Sequence, residues 1–155
     1  MQFKLAMLFL TPIALFATST VAADPEALRR VRDQPIGSKS CPQCDLSDAD
    51  LHGEDLSRAD LSGADVTRAN LIGANLASAN LSGADLDEAH LSDATLSGAN
   101  LDHALLINAN LARADLAGAN LTGADLTRAD LTQSNLSGAD LTGADFEGQI
   151  SRRRR

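Results

Sequence analysis

Tryptophan and tyrosine are absent from this 155-residue chain, and three of its four phenylalanines lie within the first sixteen residues, leaving Phe146 as the one aromatic beyond them. A core with almost no aromatic bulk has to be narrow. Cysteine is nearly absent too: Cys41 and Cys44 are the only two, half of what a zinc site needs. No phosphate-binding glycine motif and no calcium-loop motif occur, and Cys41-Pro42-Gln43-Cys44 lacks the following His of a covalent haem site. His52, His90 and His103 have no nucleophile or carboxylate partner implied by spacing. These absences argue against an enzyme and against a resident metal or cofactor. Basic residues are scarce in the body of the chain. From Cys44 to Gly148 eighteen acids face four arginines, a balance of 4 − 18 = −14, whereas residues 24–43 carry +1 and the tail +4. Such an acidic surface does not seek nucleic acid.

What the chain has in abundance is a period of five. Every fifth residue from Leu46 to Phe146 is large and apolar, Leu at nineteen of twenty-one positions, with Val66 and Phe146 the exceptions. Two residues before it stands Ala in eighteen units, the departures being Cys44, Glu54 and Ser134; one before it stands Asp or Asn in eighteen, failing at His90, Thr95 and Leu105. A helix turns about 100° per residue, so a step of five rotates about 140° and scatters these leucines around the cylinder. A flat strand alternates with period two, so an odd step sends them to opposite faces. A chain that turns a corner once every five residues points each Leu, and the Ala two before it, at one axis. The period therefore predicts a β-solenoid, and Gly at the last position of ten units supplies the positive φ that a tight corner requires.

Units such as Ala59-Asp60-Leu61-Ser62-Gly63 resemble the pentapeptide-repeat family over about two-thirds of the chain. The resemblance implies an all-β fold, a right-handed quadrilateral β-helix with four units per coil. Twenty-one units then make about five coils, a rod roughly 25 Å long at a strand spacing of about 4.8 Å. Exported members of the family also carry a Cys-Pro-x-Cys-Asp-Leu lead into the repeats, as Cys41 to Leu46 do here. In gyrase-directed members the rod mimics duplex DNA and a C-terminal end-to-end dimer buries the last coil. The charge of −14 over roughly 25 Å, one per about 1.8 Å, is close to the value of about 1.7 Å for duplex DNA. That keeps a DNA-mimicking inhibitor or protector of a DNA-binding enzyme such as gyrase as an alternative.

Residues 1–23 read as a signal peptide: Lys4, an apolar stretch from Leu5 to Phe16, and small residues ending Val21-Ala22-Ala23, where cleavage is expected. The apolar stretch is short for a membrane span, and the absence of Cys at the cleavage point argues against a lipoprotein. The expected location is periplasmic or otherwise exported, or the thylakoid lumen in a cyanobacterium. Residues 24–43 form a lead-in with one short helix opened by Asp24-Pro25-Glu26, which caps the first coil with Leu28 and Val31 turned inward. Repeats are expected over 44–148 and a basic tail over 149–155.

Function is carried by the residues that break the pattern. Cys41 and Cys44 are read as a structural disulfide or buried thiol pair, with a redox-active or metal-linked pair in an envelope protein as an alternative. Leu105 and Ile107 are outward apolar residues and, with Arg152, Arg153, Arg154 and Arg155, candidates for contact with an unidentified protein partner. The arginines are also candidates for contact with an anionic membrane surface. Phe146 and Ile150 are candidates for a homodimer end. Glu54, at an inward position, is expected at the mouth of the rod or paired with Arg29, Arg30 or Arg32. The leading reading is a non-enzymatic exported structural or interaction module that presents an acidic rod.

Overall fold

The structure is a computed structural model of the full chain that describes residues 23–35 and 37–148. The signal-peptide reading through Ala22 and the tail residues Ile150 and Arg152 to Arg155 fall outside the described residues.

Each five-residue unit is built on one β-turn. The carbonyl of the central Leu accepts the N–H of the residue three positions on, as Leu61 does from Ala64 at 3.1 Å. The residue before that donor always has positive φ. This is the backbone of a type II turn, which needs a left-handed residue at its third position. Glycine meets that need at ten corners, yet twelve others are left-handed without it, among them Ser78, Glu88, Asp93 and Arg113. The corner conformation is thus imposed by the coil and not by glycine.

Corners stack through the backbone. Leu46 N–H donates to the Asp65 carbonyl at 2.7 Å, and Asp65 N–H returns a bond to the Cys44 carbonyl at 2.9 Å. The same pair of bonds recurs along the rod, and every bridge from Ser40↔Asp60 to Asp125↔Asp145 is parallel and joins residues 20 apart. One turn of the solenoid therefore takes four units. The central leucines of the units from Leu46 to Leu126, with Val66, and the inward alanines from Ala49 to Ala129 are buried. At about 1.5–3 kcal/mol per fully buried Leu, this axis is the chief source of stability.

The coil begins one unit earlier than the repeat pattern indicates. Cys41 occupies the central, fully buried position of a unit running Lys39 to Gln43, and its N–H donates to the Asp60 carbonyl at 2.8 Å. Lys39 takes the inward small-residue position: its stem is buried and its amine reaches the Asp55 carbonyl at 2.6 Å. A lysine fits here because the first coil has no coil before it, so the cation can bond a carbonyl at the mouth.

Helix α1, Pro25–Arg32, covers that mouth. Asp24 caps it by accepting the Glu26 N–H at 3.0 Å, and Pro25 occupies the first turn, where no N–H partner is required. Ala27 and Val31 are buried on the first coil and Leu28 is part-buried beside them. Arg32 pairs with Glu54 at 3.5 Å and also donates to the Asp50 carbonyl, which answers the charge of the one inward carboxylate.

The other end has no such cover among the described residues. Leu131, Leu136, Leu141 and Phe146 are only part-buried. In every earlier coil the corresponding N–H donates to the coil that follows, the last such bond being Leu126 N–H to the Asp145 carbonyl at 2.8 Å. Among the described residues no coil follows the last one, which ends around an apolar disc.

Candidate functional site

Outside the core, the solenoid is a surface of side-chain columns. Where the residue before the central Leu is Asp or Asn it closes its own corner: Asp65 Oδ1 accepts the Thr67 N–H at 3.0 Å, and Asn120 Oδ1 accepts the Thr122 N–H at 3.1 Å. Asn has a second use that Asp lacks, because its amide donates to the coil before it. Asn80 donates to Asp60 at 3.1 Å, Asn100 to Asn80 at 3.1 Å and Asn120 to Asn100 at 2.9 Å, an amide ladder up one side. Asn70 to Asp50 at 3.0 Å and Asn75 to Asp55 at 3.2 Å do the same on two others.

One side has no such ladder. Numbering the sides from Leu46, the first carries the units centred on Leu46, Val66, Leu86, Leu106, Leu126 and Phe146. Its column before the Leu reads Asp45, Asp65, Asp85, Leu105, Asp125, Asp145, with no Asn anywhere. Asp48, Asp87, Glu88 and Glu147 lie on the same side, so it holds nine of the eighteen acids of the repeats and has Arg68 and Arg128 against them, 2 − 9 = −7. The other three sides carry three acids each. The acidic character of the rod is therefore concentrated on one side.

That side is interrupted halfway along by the two outward aliphatics. Leu105 is the one exposed large apolar side chain among the described residues, at 41% of its surface, and Ile107 beside it is part-buried. Leu105 cannot accept a hydrogen bond, so its corner lacks the usual side-chain acceptor. Asp87 of the preceding coil replaces it, its Oδ1 accepting the Ile107 N–H at 2.8 Å. Burial pushes the Asp87 carboxyl above the ordinary range; the Ile107 N–H pulls it down, and the charges of Asp85, Asp125 and Glu88 push it further up.

Two of the four arginines of the repeats are already engaged. Arg68 holds Asp48 through both carboxylate oxygens, at 2.8 and 2.7 Å, and Arg113 holds Asp93 at 2.7 and 2.6 Å. Each guanidinium bonds its carboxylate and draws the carboxyl below its ordinary range. Asp60, Asp125 and Asp140 are lowered by the hydroxyls of Ser62, Thr127 and Thr142 respectively, with the backbone N–H of the same residues adding to the effect.

The remaining candidate residues are dispersed. Cys41 and Cys44 are joined as a disulfide with Cα atoms 5.4 Å apart, beneath α1, where Cys41 Sγ lies 4.0 Å from the Ala27 carbonyl. The pair sits at the capped end and Phe146 at the open end, with Leu105 and Ile107 between. His52 and His90 lie on the second side and His103 on the fourth, with its ring over Gly123. Among the described residues no three His, Cys, Asp or Glu side chains are placed to share a metal ion, and no helix is long and apolar enough to cross a membrane.

A family model of pentapeptide repeats, in eight copies, matches residues 41–76, 55–93, 69–106 and 109–148. The chain belongs to the pentapeptide-repeat family. Among solved structures, the chain is similar to a pentapeptide repeat protein from the cyanobacterium Cyanothece 51142, at 35% identity over 74% of this chain and 71% of that one, with a TM-score of 0.37. A pentapeptide repeat protein from the thylakoid lumen of Arabidopsis thaliana matches at 29% identity over 84% and 77% of the two chains, with a TM-score of 0.32. QnrB1, a plasmid-mediated fluoroquinolone resistance protein, matches at 19% identity over 73% and 84%, with a TM-score of 0.31. Comparison with curated proteins gives no match. The first copy of the family pattern starts at residue 41, in agreement with a coil that already includes Cys41. Pentapeptide-repeat proteins are generally structural or interaction proteins, and the fold here is their β-helix.

Proposed function

We propose that the protein is a non-enzymatic, exported interaction module whose working surface is the first side of the solenoid, presented to a cationic protein partner. The observation that carries this reading is the missing amide ladder. Stacked like charges about 4.8 Å apart repel, and the other three sides relieve that repulsion with Asn donors, whereas the first side keeps Asp in column after column. A locally unfavourable pattern with no structural gain marks a surface kept for binding. Leu105 and Ile107 add an apolar centre to a charged surround, the usual arrangement of an interaction patch. Export rests on the leader sequence, and the rod itself is read as a right-handed quadrilateral helix of about five coils.

The DNA-mimicking alternative has less support from the same geometry. A duplex carries phosphates along two strands that wind around its axis, while here half of the repeat acids share one side. The redox alternative is weakened by place: Cys41 is fully buried under α1, and a β corner follows Cys44 instead of a helix N-terminus. The open last coil supports a homodimer through Phe146, and because α1 blocks the opposite end such contacts close as a pair instead of growing into a filament. A monomer by light scattering at high concentration would remove the dimer.

The functional reading is tested by affinity capture from the native envelope fraction with the immobilised protein. Partners released by moderate salt and retained in its absence are expected. Inhibition of gyrase supercoiling by the protein, with no salt-sensitive partner in that fraction, would replace this reading with the DNA-mimicking one.

A further inference from the structure

The first coil has no coil before it, and the segment from Asp24 to Cys41 supplies what such a coil would. Along the repeats the carbonyl of the residue before each central position accepts an N–H from the preceding coil, as Asp65 does from Leu46 and Asn70 from Leu51. At the mouth three such carbonyls belong to Asp45, Asp50 and Asp55, and each has a substitute donor: the Asp24 N–H at 3.0 Å, the Arg32 guanidinium, and the Lys39 amine at 2.6 Å. The Asp60 carbonyl takes the Cys41 N–H at 2.8 Å. The cap is thus bonded to the rod once on each of the four sides.

The Cys41–Cys44 disulfide stands where this cap passes into the repeats, and the corner between its two residues needs no cross-link. Cys41 N–H to the Asp60 carbonyl at 2.8 Å, Gln43 N–H to the Ser62 carbonyl at 2.8 Å and Cys44 N–H to the Cys41 carbonyl at 3.3 Å form the corner. Leu61, Gly63 and Ala64 make the same three bonds at 2.8, 2.9 and 3.1 Å without any cysteine. A separation of three residues also gives a cross-link little chain entropy to remove. What the disulfide adds is a contact with the cap, since Cys41 Sγ lies 4.0 Å from the Ala27 carbonyl and is enclosed with Ala27 and Val31. The two sulfurs differ in access. Cys41 is fully buried, whereas Cys44 is part-buried beside a Pro42-Gln43 corner that is exposed.

We infer that the Cys41–Cys44 disulfide is a reducible latch on α1, opened by a protein dithiol that attacks at Cys44. Here the pair is the substrate of thiol–disulfide exchange and not its catalyst, so the inference stands apart from the reading of the first side. A thiolate of the dithiol forms a mixed disulfide with Cys44 Sγ, the Cys41–Cys44 bond breaks, and Cys41 leaves as a thiolate that takes up a proton. The second thiolate of the dithiol then attacks its own sulfur in the mixed disulfide and releases Cys44. Two electrons and two protons pass to the pair, and the dithiol becomes a disulfide. With one part-buried sulfur open to attack, the proximity given by docking favours a protein dithiol over a small thiol. Once reduced, the two sulfurs separate to van der Waals contact, and the enclosed Cys41 side chain has the underside of α1 to move against. The released cap uncovers the carbonyls of Asp45, Asp50 and Asp55 around an apolar mouth, a row of acceptors for an added strand.

The test treats the unmodified full chain with a reduced thioredoxin-type dithiol protein, without denaturant, so no variant has to fold. Thiols are counted by alkylation and mass, and amide exchange is followed along the chain. The expected result is two alkylated cysteines, amide exchange in Leu28 to Arg32 faster by about tenfold, and unchanged exchange from Leu56 to Leu126. A form of the dithiol protein lacking its second cysteine is expected to be trapped on Cys44, and glutathione at equal thiol concentration is expected to react more slowly. A disulfide that resists the dithiol until urea unfolds the repeats is purely structural and overturns the inference. So does reduction that leaves exchange in α1 unchanged, or a trapped adduct on Cys41. Equal rates with glutathione would overturn the assignment of a protein dithiol as the reductant.

Discussion

A single residue in this solenoid answers to two demands, its place in the unit and its place in the column. The first is seen at the corners. Gly73 has φ +66° with nothing within 4 Å of a built Cβ, so Gly73→Ala meets only the backbone penalty and is expected to cost about 1 kcal/mol in urea unfolding. Ser78, left-handed at φ 57°, is the reverse case, and Ser78→Gly is expected to gain a similar amount or less, because glycine also loses more entropy on folding. The second demand is seen on the first side. Asp65→Asn keeps the corner bond to Thr67, removes a charge between Asp45 and Asp85, and supplies the amide donor missing from the column; it is expected to raise stability by about 0.5–1 kcal/mol. A loss of stability on this change would remove the argument that the side is held in an unfavourable state.

Asp87 gives a pH dependence of opposite sign to that of most carboxyls here. Its folded value is raised, so the charged form opposes folding above that value and the penalty fades as pH falls through it. Asp87→Asn retains an oxygen for the Ile107 N–H and is expected to raise the melting temperature at neutral pH, with the gain shrinking as pH falls toward the ordinary carboxyl range near 4. The inward Leu and Ala and the corner-closing Asp and Asn were all legible from the five-residue period. Which outward residues are neighbours came only through the family resemblance, which implies four units per coil and so stacks Asp45, Asp65 and Asp85, because a period of five by itself has no information about the number of units in a turn. The twenty-residue register is what assembles Asp45, Asp65 and Asp85 with Leu105 and Ile107 into one face.

Among elements, the cap shows what a pattern-based reading passes over. Helix α1 and its Asp24 cap were legible from the Asp-Pro-Glu start, and Arg32 had been among the partners expected for Glu54. The unit of Lys39 to Gln43 was missed, since neither Lys at an Ala position nor Cys at a Leu position fits the period. The signal that could have found it is the Pro-Gln corner ahead of Cys44 at the right spacing. Its disulfide closes a separation of only three residues, so the chain-entropy model allows it about 2 kcal/mol. Because the bond also fixes the floor on which Ala27 and Val31 rest, replacing both cysteines by Ala is expected to lower the unfolding free energy measured in urea by at least that amount and to loosen α1 ahead of the coils, read as faster amide exchange in Leu28 to Arg32. Unchanged exchange there would separate the disulfide from the cap.

At the scale of the whole molecule, the rod is asymmetric twice over. Along its axis one end is capped and the other has no such cover among the described residues, and around its axis half of the repeat acids occupy one of four sides. On the proposed reading, the first asymmetry governs self-association and the second governs partners. The account's central claim is the second, and it is tested most directly by moving the same amount of charge on different sides. Asp85→Asn, Asp87→Asn and Glu88→Gln together neutralise three acids on the first side; Asp60→Asn, Asp102→Asn and Asp140→Asn do so on the fourth. Both triple variants have the same net charge, and each retains the oxygens that close its corners. Measured by capture from the native envelope fraction, the first-side variant is expected to lose salt-sensitive partners at least tenfold, about 1.4 kcal/mol of binding, while the fourth-side variant retains them. Equal loss in both would show that only overall charge matters and would contradict a dedicated face.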